Sequence, residues 1–376
     1  MKVLVINSVC GIRSTGRIAT EIAEEYIKQG HEVIIAYGRE TVPKQYKSIS
    51  KRIGTSISIN INAFESRIFD NDGFTARQAT ARFLKWAEFY NPDLLWLHNL
   101  HGYYINIKQL FTWIKKRPNM EVRWTLHDCW SFTGHCSHFD YVKCYKWKKH
   151  CEKCQQKKEY PASLFFDGSG RNFENKRKLF TGVKKMTIVT PSKWLANQVK
   201  AGFLKEYPIV IVNNTVDTEV FKPTNSDIKK TLGIENKRII LGVASQWQPL
   251  KGFQDFFKLR ELLSDEYVIV LVGVTSKQKQ KLLPSMIGIE RTNNPLELAK
   301  LYSAADVFFN PTYQDTYPTV NLEAKACGTT VITYDTGGSP ESVEPENVFE
   351  QGDLENVVKR IKYLSGNYIR INEAKS

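Results

Sequence analysis

Residues 1–38 read MKVLVINSVCGIRSTGRIATEIAEEYIKQGHEVIIAYG. Residues 2–7 form a short apolar strand. Over residues 15–29, Ile18, Ile22, Ala23 and Tyr26 recur at helical spacing, and Gly30 suits a helix C-terminus. Residues 31–38 (HEVIIAYG) form a second strand. Strand, helix and strand in this order make a β-α-β unit. Its right-handed crossover sets the two strands parallel and adjacent.

The alternation continues outward. Strand-like runs follow at 93–99, 122–128, 186–190 and 208–213, with helix-like stretches at 75–90 and 192–202. Residues 1–214 thus read as a doubly wound, Rossmann-like domain. Residues 215–225 (TVDTEVFKPTN) interrupt the pattern with proline and polar side chains and read as a linker. Strands are then expected at 238–244, 267–274, 287–292, 306–310 and 329–335. Helices are expected at 253–263, 276–283, 295–304, 319–327 and near 354–364. A second Rossmann-like domain over 215–376 follows. Two such parallel-sheet domains facing each other leave a central cleft at the carboxyl ends of their strands, where α/β proteins bind ligands. Residues 129–175 do not fit the alternation. An irregular insertion of that length is usually functional or held by a metal.

The chain has 376 residues, 42% hydrophobic and 24% charged. That is ordinary for two globular domains and unlike a disordered tail, a collagenous fibre or a small disulfide scaffold. No apolar run approaches the roughly 18–20 residues that span a bilayer. The first residues enter a strand at once, without the layout of a signal peptide, so a cytoplasmic protein is expected. The net charge is +14, and residues 140–206 hold 16 Lys and Arg against 6 Asp and Glu. Such a segment attracts nucleic acid, an acidic membrane leaflet or a phosphorylated substrate, or is a solvated lysine-rich face.

The densest motif lies at residues 310–340, NPTYQDTYPTVNLEAKACGTTVITYDTGGSP. Asp315 falls in a loop after a strand. Glu323 falls about one turn inside the next helix, seven residues on. The amides near Thr319, Val320 and Asn321 open that helix, and helix N-termini attract anions. An anion site between two carboxylates that grip hydroxyls has the shape of a nucleotide-sugar site. By itself the spacing would also suit a helix with an acidic residue in its loop. A second motif, LGVASQWQPLKGF at 241–253, contains Lys251 and Gly252. In the first half, Gly11 and Gly16 flank the turn from the first strand into the first helix, without the spacing of a dinucleotide fingerprint. His98 and His127 end strands and so point towards the ligand side. A lone His is more often a hydrogen-bonded core residue, and that reading is kept for His98 and His101.

The 310–340 stretch resembles the signature of retaining glycosyltransferase family 4, which has the GT-B fold, in its bacterial exopolysaccharide and colanic-acid branch. The family pattern is Glu, seven residues, Glu, then Ala-x-Ala-x-Gly. Here Asp315 takes the first place, followed by Glu323, Ala324, Ala326 and Gly328. The resemblance implies that Asp315 contacts the donor sugar and Glu323 the nucleotide ribose. It implies that Lys251 clamps the diphosphate, with Gln246 at the usual arginine position, where a neutral donor weakens one leg of the clamp. Pro318 stands where many members have glycine. Arg291 and Thr292 sit where the family reads the base. Gly16 belongs to a loop facing donor phosphate and acceptor, and His127 matches a histidine that contacts the donor sugar. A return helix after residue 364 is expected in shortened form.

Five of the seven cysteines fall within residues 129–154. Cys136, Cys144, Cys151 and Cys154 are spaced C-x7-C-x6-C-x2-C. Four thiolates satisfy tetrahedral zinc, and the last pair has knuckle spacing. Free thiols or disulfides remain open, and His135, His138 or His150 could replace a cysteine. The segment HDCWSFTGHC, residues 127–136, also resembles bacterial polysaccharide glycosyltransferases.

The expected function is retaining transfer of a sugar from a UDP- or GDP-sugar to a glycan or polyprenyl-diphosphate-linked acceptor. It would serve cell-surface polysaccharide synthesis, without a metal in the chemistry. The basic, aromatic-rich residues 141–205 suit a peripheral position on the anionic inner face of the plasma membrane. Two rivals stand beside this reading. One is a nucleotide-sugar epimerase or glycoside phosphorylase on the same fold. The other is a non-enzymatic binder of nucleic acid or polysaccharide, against which stands the absence of any nucleic-acid-binding module.

Overall fold

The computed structural model describes residues 1–373, with side chains to residue 366. The chain divides into two units, Met1–Asn213 and Asn214–Ser376. The first holds strands β1 (Lys2–Asn7), β2 (Glu32–Tyr37), β3 (Ser50–Arg52), β4 (Leu94–Leu97), β5 (Glu121–Thr125), β6 (Met186–Thr190) and β7 (Ile209–Ile211). They form one parallel sheet in the order β3-β2-β1-β4-β5-β6-β7. Helices α1 (Arg13–Lys28), α2 (Ser56–Phe69), α3 (Arg77–Tyr90), α4 (Ile107–Lys115), α5 (Ser169–Phe180) and α6 (Lys193–Ala201) connect the strands.

The second unit has strands β8 (Arg238–Val243), β9 (Tyr267–Val272), β10 (Met286–Ile289), β11 (Val307–Asn310), β12 (Val331–Tyr334) and β13 (Val348–Phe349), in the order β10-β9-β8-β11-β12-β13. Its helices are α7 (Ile228–Thr231), α8 (Phe253–Leu262), α9 (Ser276–Lys279), α10 (Pro295–Ala304), α11 (Thr319–Ala326) and α12 (Leu354–Glu373). α12 runs on without a break past residue 364 to Glu373. Residues 374–376 lie outside the described ones.

Both sheets are apolar on both faces, which is why their strands read as continuous apolar runs. In β1, Leu4 and Ile6 enter one core, and Val3 and Val5 the opposite one. The second sheet repeats this: Ile240, Leu271 and Phe309 face one layer, and Ile239, Val270 and Phe308 the other. Each such side chain contributes about 1.5–3 kcal/mol by leaving water.

Two expectations change. α1 starts at Arg13, so Gly16 lies within its first turn and is buried rather than in the preceding loop. A Cβ at Gly16 would stand 3.1 Å from Val9 Cγ2, so this glycine serves the close packing of the helix on the loop that leaves β1. The insertion at 129–175 is not a loose excursion either. Trp130, Phe132, Phe139 and Trp147 belong to the main core of the first unit, and α5 closes it.

Candidate active site

Three neighbouring strands of the second sheet deliver the residues at its carboxyl edge. β8 leads through Gln246 and Trp247 into a 3₁₀ turn, Pro249–Lys251. Trp247 is buried and donates from Nε1 to the Val272 carbonyl at 2.9 Å, which ties this turn to β9. Gly252 follows with φ 75°. A Cβ there would stand 2.1 Å from the Pro311 carbonyl oxygen, so only glycine lets the turn approach the chain leaving β11. The Lys251 ammonium thereby reaches Asp315, with Nζ donating to Oδ2 at 2.7 Å. Asp315 Oδ1 accepts from the Tyr317 N–H at 3.2 Å. The Asp315 carbonyl accepts from the Gly338 N–H at 3.1 Å. The loops after β8, β11 and β12 thus meet around one residue, Asp315.

α11 begins at Thr319 behind Pro318, and no side chain caps it. Asn321 in its first turn is fully buried. It accepts from Asn310 Nδ2 at 2.8 Å and donates to Ser339 Oγ at 3.2 Å and Ser342 Oγ at 2.9 Å. This network pins the start of the helix to β11 and to the turn after β12. Glu323 is 4% exposed and accepts from the Tyr302 hydroxyl at 3.0 Å. A carboxylate held that deep requires hydrogen-bond donors around it.

Lys251, Asp315, Thr319, Val320 and Glu323 therefore share the carboxyl edge of β8 and β11 and the helix that follows it. Gln246 is exposed on the same β8 loop. Arg291 is also exposed, but it follows β10, at the far edge of the sheet and with two strands between it and β11. The reading that gave Asp315 to the sugar and Lys251 to phosphate did not anticipate their direct ion pair. It also missed the side-chain network of Asn310, Asn321, Ser339 and Ser342, whose only signal was a run of small polar residues beside the acidic motif.

In the first unit, His98 and His127 follow β4 and β5. Their rings stack with centroids 5.2 Å apart, and His98 Nδ1 lies 2.9 Å from His127 Nε2. Burial pushes His127 down to about 4 and His98 well below its ordinary value. Both rings are neutral at pH 7. Two neutral imidazoles sharing one hydrogen bond leave one as donor and one as acceptor.

Beside them runs a chain the sequence did not disclose. His101 Nε2 lies 2.7 Å from Asp128 Oδ2, and His101 Nδ1 lies 2.9 Å from the Tyr160 hydroxyl. Burial opposes ionisation of Asp128, yet the His101 ring, together with His138 and the Trp130 N–H, outweighs it and holds the carboxyl at about 2. Lys176, one of the residues counted in the basic stretch, is not on the surface at all. Its ammonium sits 3.5 Å above the Trp130 ring and donates to the Trp130 and Thr133 carbonyls at 2.7 and 3.1 Å. Burial pushes it down to about 7.

The four insertion cysteines pack on one core. Cys136 and Cys154 share a hydrogen bond that lowers Cys154 to about 7. Cys151 Sγ accepts from the Gly134 N–H at 3.2 Å. All seven cysteines are free thiols. Among the described residues no group of three or more His, Cys, Asp or Glu side chains is arranged to hold a metal ion. The histidines named as replacements have other partners. His135 Nδ1 lies 2.5 Å from Asp70 Oδ1, and His150 Nδ1 lies 3.1 Å from Glu174 Oε1.

Residues 224–375 match the family described as glycosyl transferases group 1. The protein named WcaC for colanic acid biosynthesis, from Escherichia coli (strain K12), is 27% identical over 62% of this chain and 59% of its own length. The N,N'-diacetylbacillosaminyl-diphospho-undecaprenol alpha-1,3-N-acetylgalactosaminyltransferase of Campylobacter jejuni is 29% identical over 37% of this chain and 40% of its own. The matches thus span about half the length of these relatives. Among solved structures, sucrose-phosphate synthase from Thermosynechococcus elongatus aligns with a TM-score of 0.70 at 15% identity, covering 97% of this chain and 90% of that one. Anabaena HepE in complex with UDP aligns at 0.65 and 15%, covering 98% and 91%. At such identities the likeness concerns the fold, which with its two parallel-sheet units is GT-B. Over residues 224–375 this chain is thus similar to the group 1 glycosyl transferases, which supports a bacterial glycosyltransferase of the family 4 type.

Proposed function

We propose that the protein transfers a sugar from a UDP- or GDP-sugar to a glycan or polyprenyl-diphosphate-linked acceptor, with retention at the anomeric carbon. The observation that carries this reading is the Lys251–Asp315 pair beside the uncapped start of α11, with Glu323 buried one turn further on. Glu323 grips ribose hydroxyls. The Lys251 ammonium and the amides of Thr319 and Val320 receive the charge that grows on the leaving diphosphate. These groups neutralise it without a divalent ion. Asp315, oriented by Lys251, holds a sugar hydroxyl. His127 offers a neutral ring, so it contributes a hydrogen bond rather than a charge. The acceptor hydroxyl attacks from the face the nucleotide leaves and passes its proton to a phosphate oxygen of the departing nucleotide.

Three likenesses support the choice of substrates. HepE is solved with UDP and with UDP-glucose. The Campylobacter relative is named for a diphospho-undecaprenol substrate, and WcaC for colanic acid. The basic residues 141–205 support a position against an anionic membrane on the cytoplasmic side.

The test is a thermal-shift screen with UDP, GDP, ADP and their sugars, followed by product analysis. A nucleotide at 100 times its Kd adds about 2.7 kcal/mol. A lengthened acceptor with unchanged anomeric configuration is expected. A free isomer or a sugar phosphate as product would replace transfer by epimerase or phosphorylase chemistry. A flat response to every nucleotide would remove the donor assignment.

A further inference from the structure

We infer that the outer face of α2 and the loop at residues 160–166 form one surface that docks on an anionic lipid bilayer. Ile57, Ile61 and Phe64 stand at i, i+4 and i+7 of α2, so they share one face, and they are 74%, 61% and 67% exposed. The opposite face holds the buried Ile59 and Ser66. The loop is fastened to the end of this helix. The Leu164 N–H donates to the Arg67 carbonyl at 2.7 Å, and the Phe166 ring stacks on Phe69 with centroids 6.0 Å apart. Leu164, Phe165 and Phe166 are 60%, 68% and 58% exposed. Large apolar side chains gathered on one exposed surface mark an interaction site.

Charge selects the occupant. Arg67 lies on α2 itself. The Lys157 ammonium donates to the Phe165 carbonyl at 3.1 Å, and Arg171 donates to the Phe69 carbonyl at 2.8 Å. Residues 141–171 hold eight Lys and Arg against three Asp and Glu. A second copy of this chain would bring the same net +14 to the contact and be repelled. Anionic headgroups complement it. Aliphatic and aromatic side chains seat at the headgroup–acyl boundary while the basic groups reach the phosphates. The inference rests on the lipid-linked acceptor only for its purpose. Its physical basis, the apolar face with interleaved cations, is separate.

The experiment is sedimentation with sucrose-loaded vesicles of phosphatidylcholine, with and without phosphatidylglycerol, in the absence of donor and acceptor. The full chain is compared with the variants I61S/F64S and F165S/F166S. These side chains are exposed, so circular dichroism and thermal unfolding serve as the folding control. The wild type is expected to sediment with the anionic vesicles and to be released by salt. Each double variant should bind about tenfold more weakly or less, from the apolar area withheld from the bilayer. Lys157→Glu should weaken binding at low salt only. Failure of the wild type to sediment at low salt overturns the inference, as do variants that bind like the wild type. Self-association by sedimentation velocity that both double variants abolish would assign the surface to a second copy instead. Nucleotide binding is read separately, so loss of the transferase reading and loss of the membrane surface are distinguishable.

Discussion

Replacing Glu323 is the sharpest probe of the donor site, because its carboxylate has a structural partner as well as a proposed ligand. Tyr302 donates to it at 3.0 Å from a position that is fully buried. A hydrogen bond to a charged group contributes about 1.5–3 kcal/mol. Glu323→Ala should therefore weaken UDP or GDP binding by about 10- to 150-fold. Glu323→Gln keeps a neutral acceptor and should lose less. Tyr302→Phe leaves the carboxylate in place but removes one donor. It should cost about 1–3 kcal/mol of stability and only a few-fold in affinity. Isothermal titration with each nucleotide, beside thermal unfolding of each variant, separates the two effects. The double variant shows whether they are coupled. If Glu323→Ala unfolds at lower temperature yet binds nucleotide within about twofold of the wild type, the carboxylate is a structural acceptor for Tyr302 and the ribose assignment is wrong.

Lys251→Met should lower kcat/KM by about 10²- to 10³-fold if its charge meets the leaving group. It should move thermal stability by no more than about 1 kcal/mol, because the pair with Asp315 is partly exposed. Gly252→Ala should destabilise the second unit by about 2 kcal/mol or more, from a Cβ pressed on the Pro311 carbonyl at positive φ; denaturant unfolding reads this. The Lys176 ammonium titrates near 7 when folded and at its ordinary, higher value when unfolded. The unfolded chain then binds the extra proton between these values, so stability rises with pH above 7. Relative to Lys176→Met, the wild type should gain about 1 kcal/mol per pH unit between pH 7.5 and 9.5, and equal slopes would argue against a buried charge. His127, at about 4 when folded, has the analogous sign. The unfolded chain takes up the proton first as pH falls from 6.5, so this contribution to stability is lost between 6.5 and 4. Titration of the ring by NMR should find it neutral at pH 6.

The strands were legible because both faces of each sheet are buried, so apolar runs such as YVIVLV at β9 have no competing interpretation. The segment that became α2 was not. Its opening, Ser-Ile-Ser-Ile-Asn-Ile, alternates with a period of two. What makes it a helix is the reciprocal Thr55–Ser58 cap at its start and the packing of one face alone. In the second unit, the acidic motif and Lys251 were readable as residues but not as an ion pair. Their meeting depends on Gly252 letting two loops touch. The place of Arg291 in the sheet was not legible either, since sequence order says nothing of the two strands inserted between β10 and β11. Lys176 illustrates why charge counts mislead. Its carbonyl partners and the Trp130 ring lie 43 to 46 residues away in sequence, and composition cannot distinguish a solvated lysine from one roofed by an indole.

Trp130, Phe132, Phe139, Trp147 and Phe173 of residues 129–175 are built into the core of the first unit, while the chain divides at Asn213–Asn214. For anyone building hybrids from related chains, that fixes where the seam belongs. A graft of the cysteine-rich segment alone would tear Phe132, Phe139 and Trp147 out of their packing. An exchange at the 213–214 junction would instead carry each half with its own sheet and interior intact.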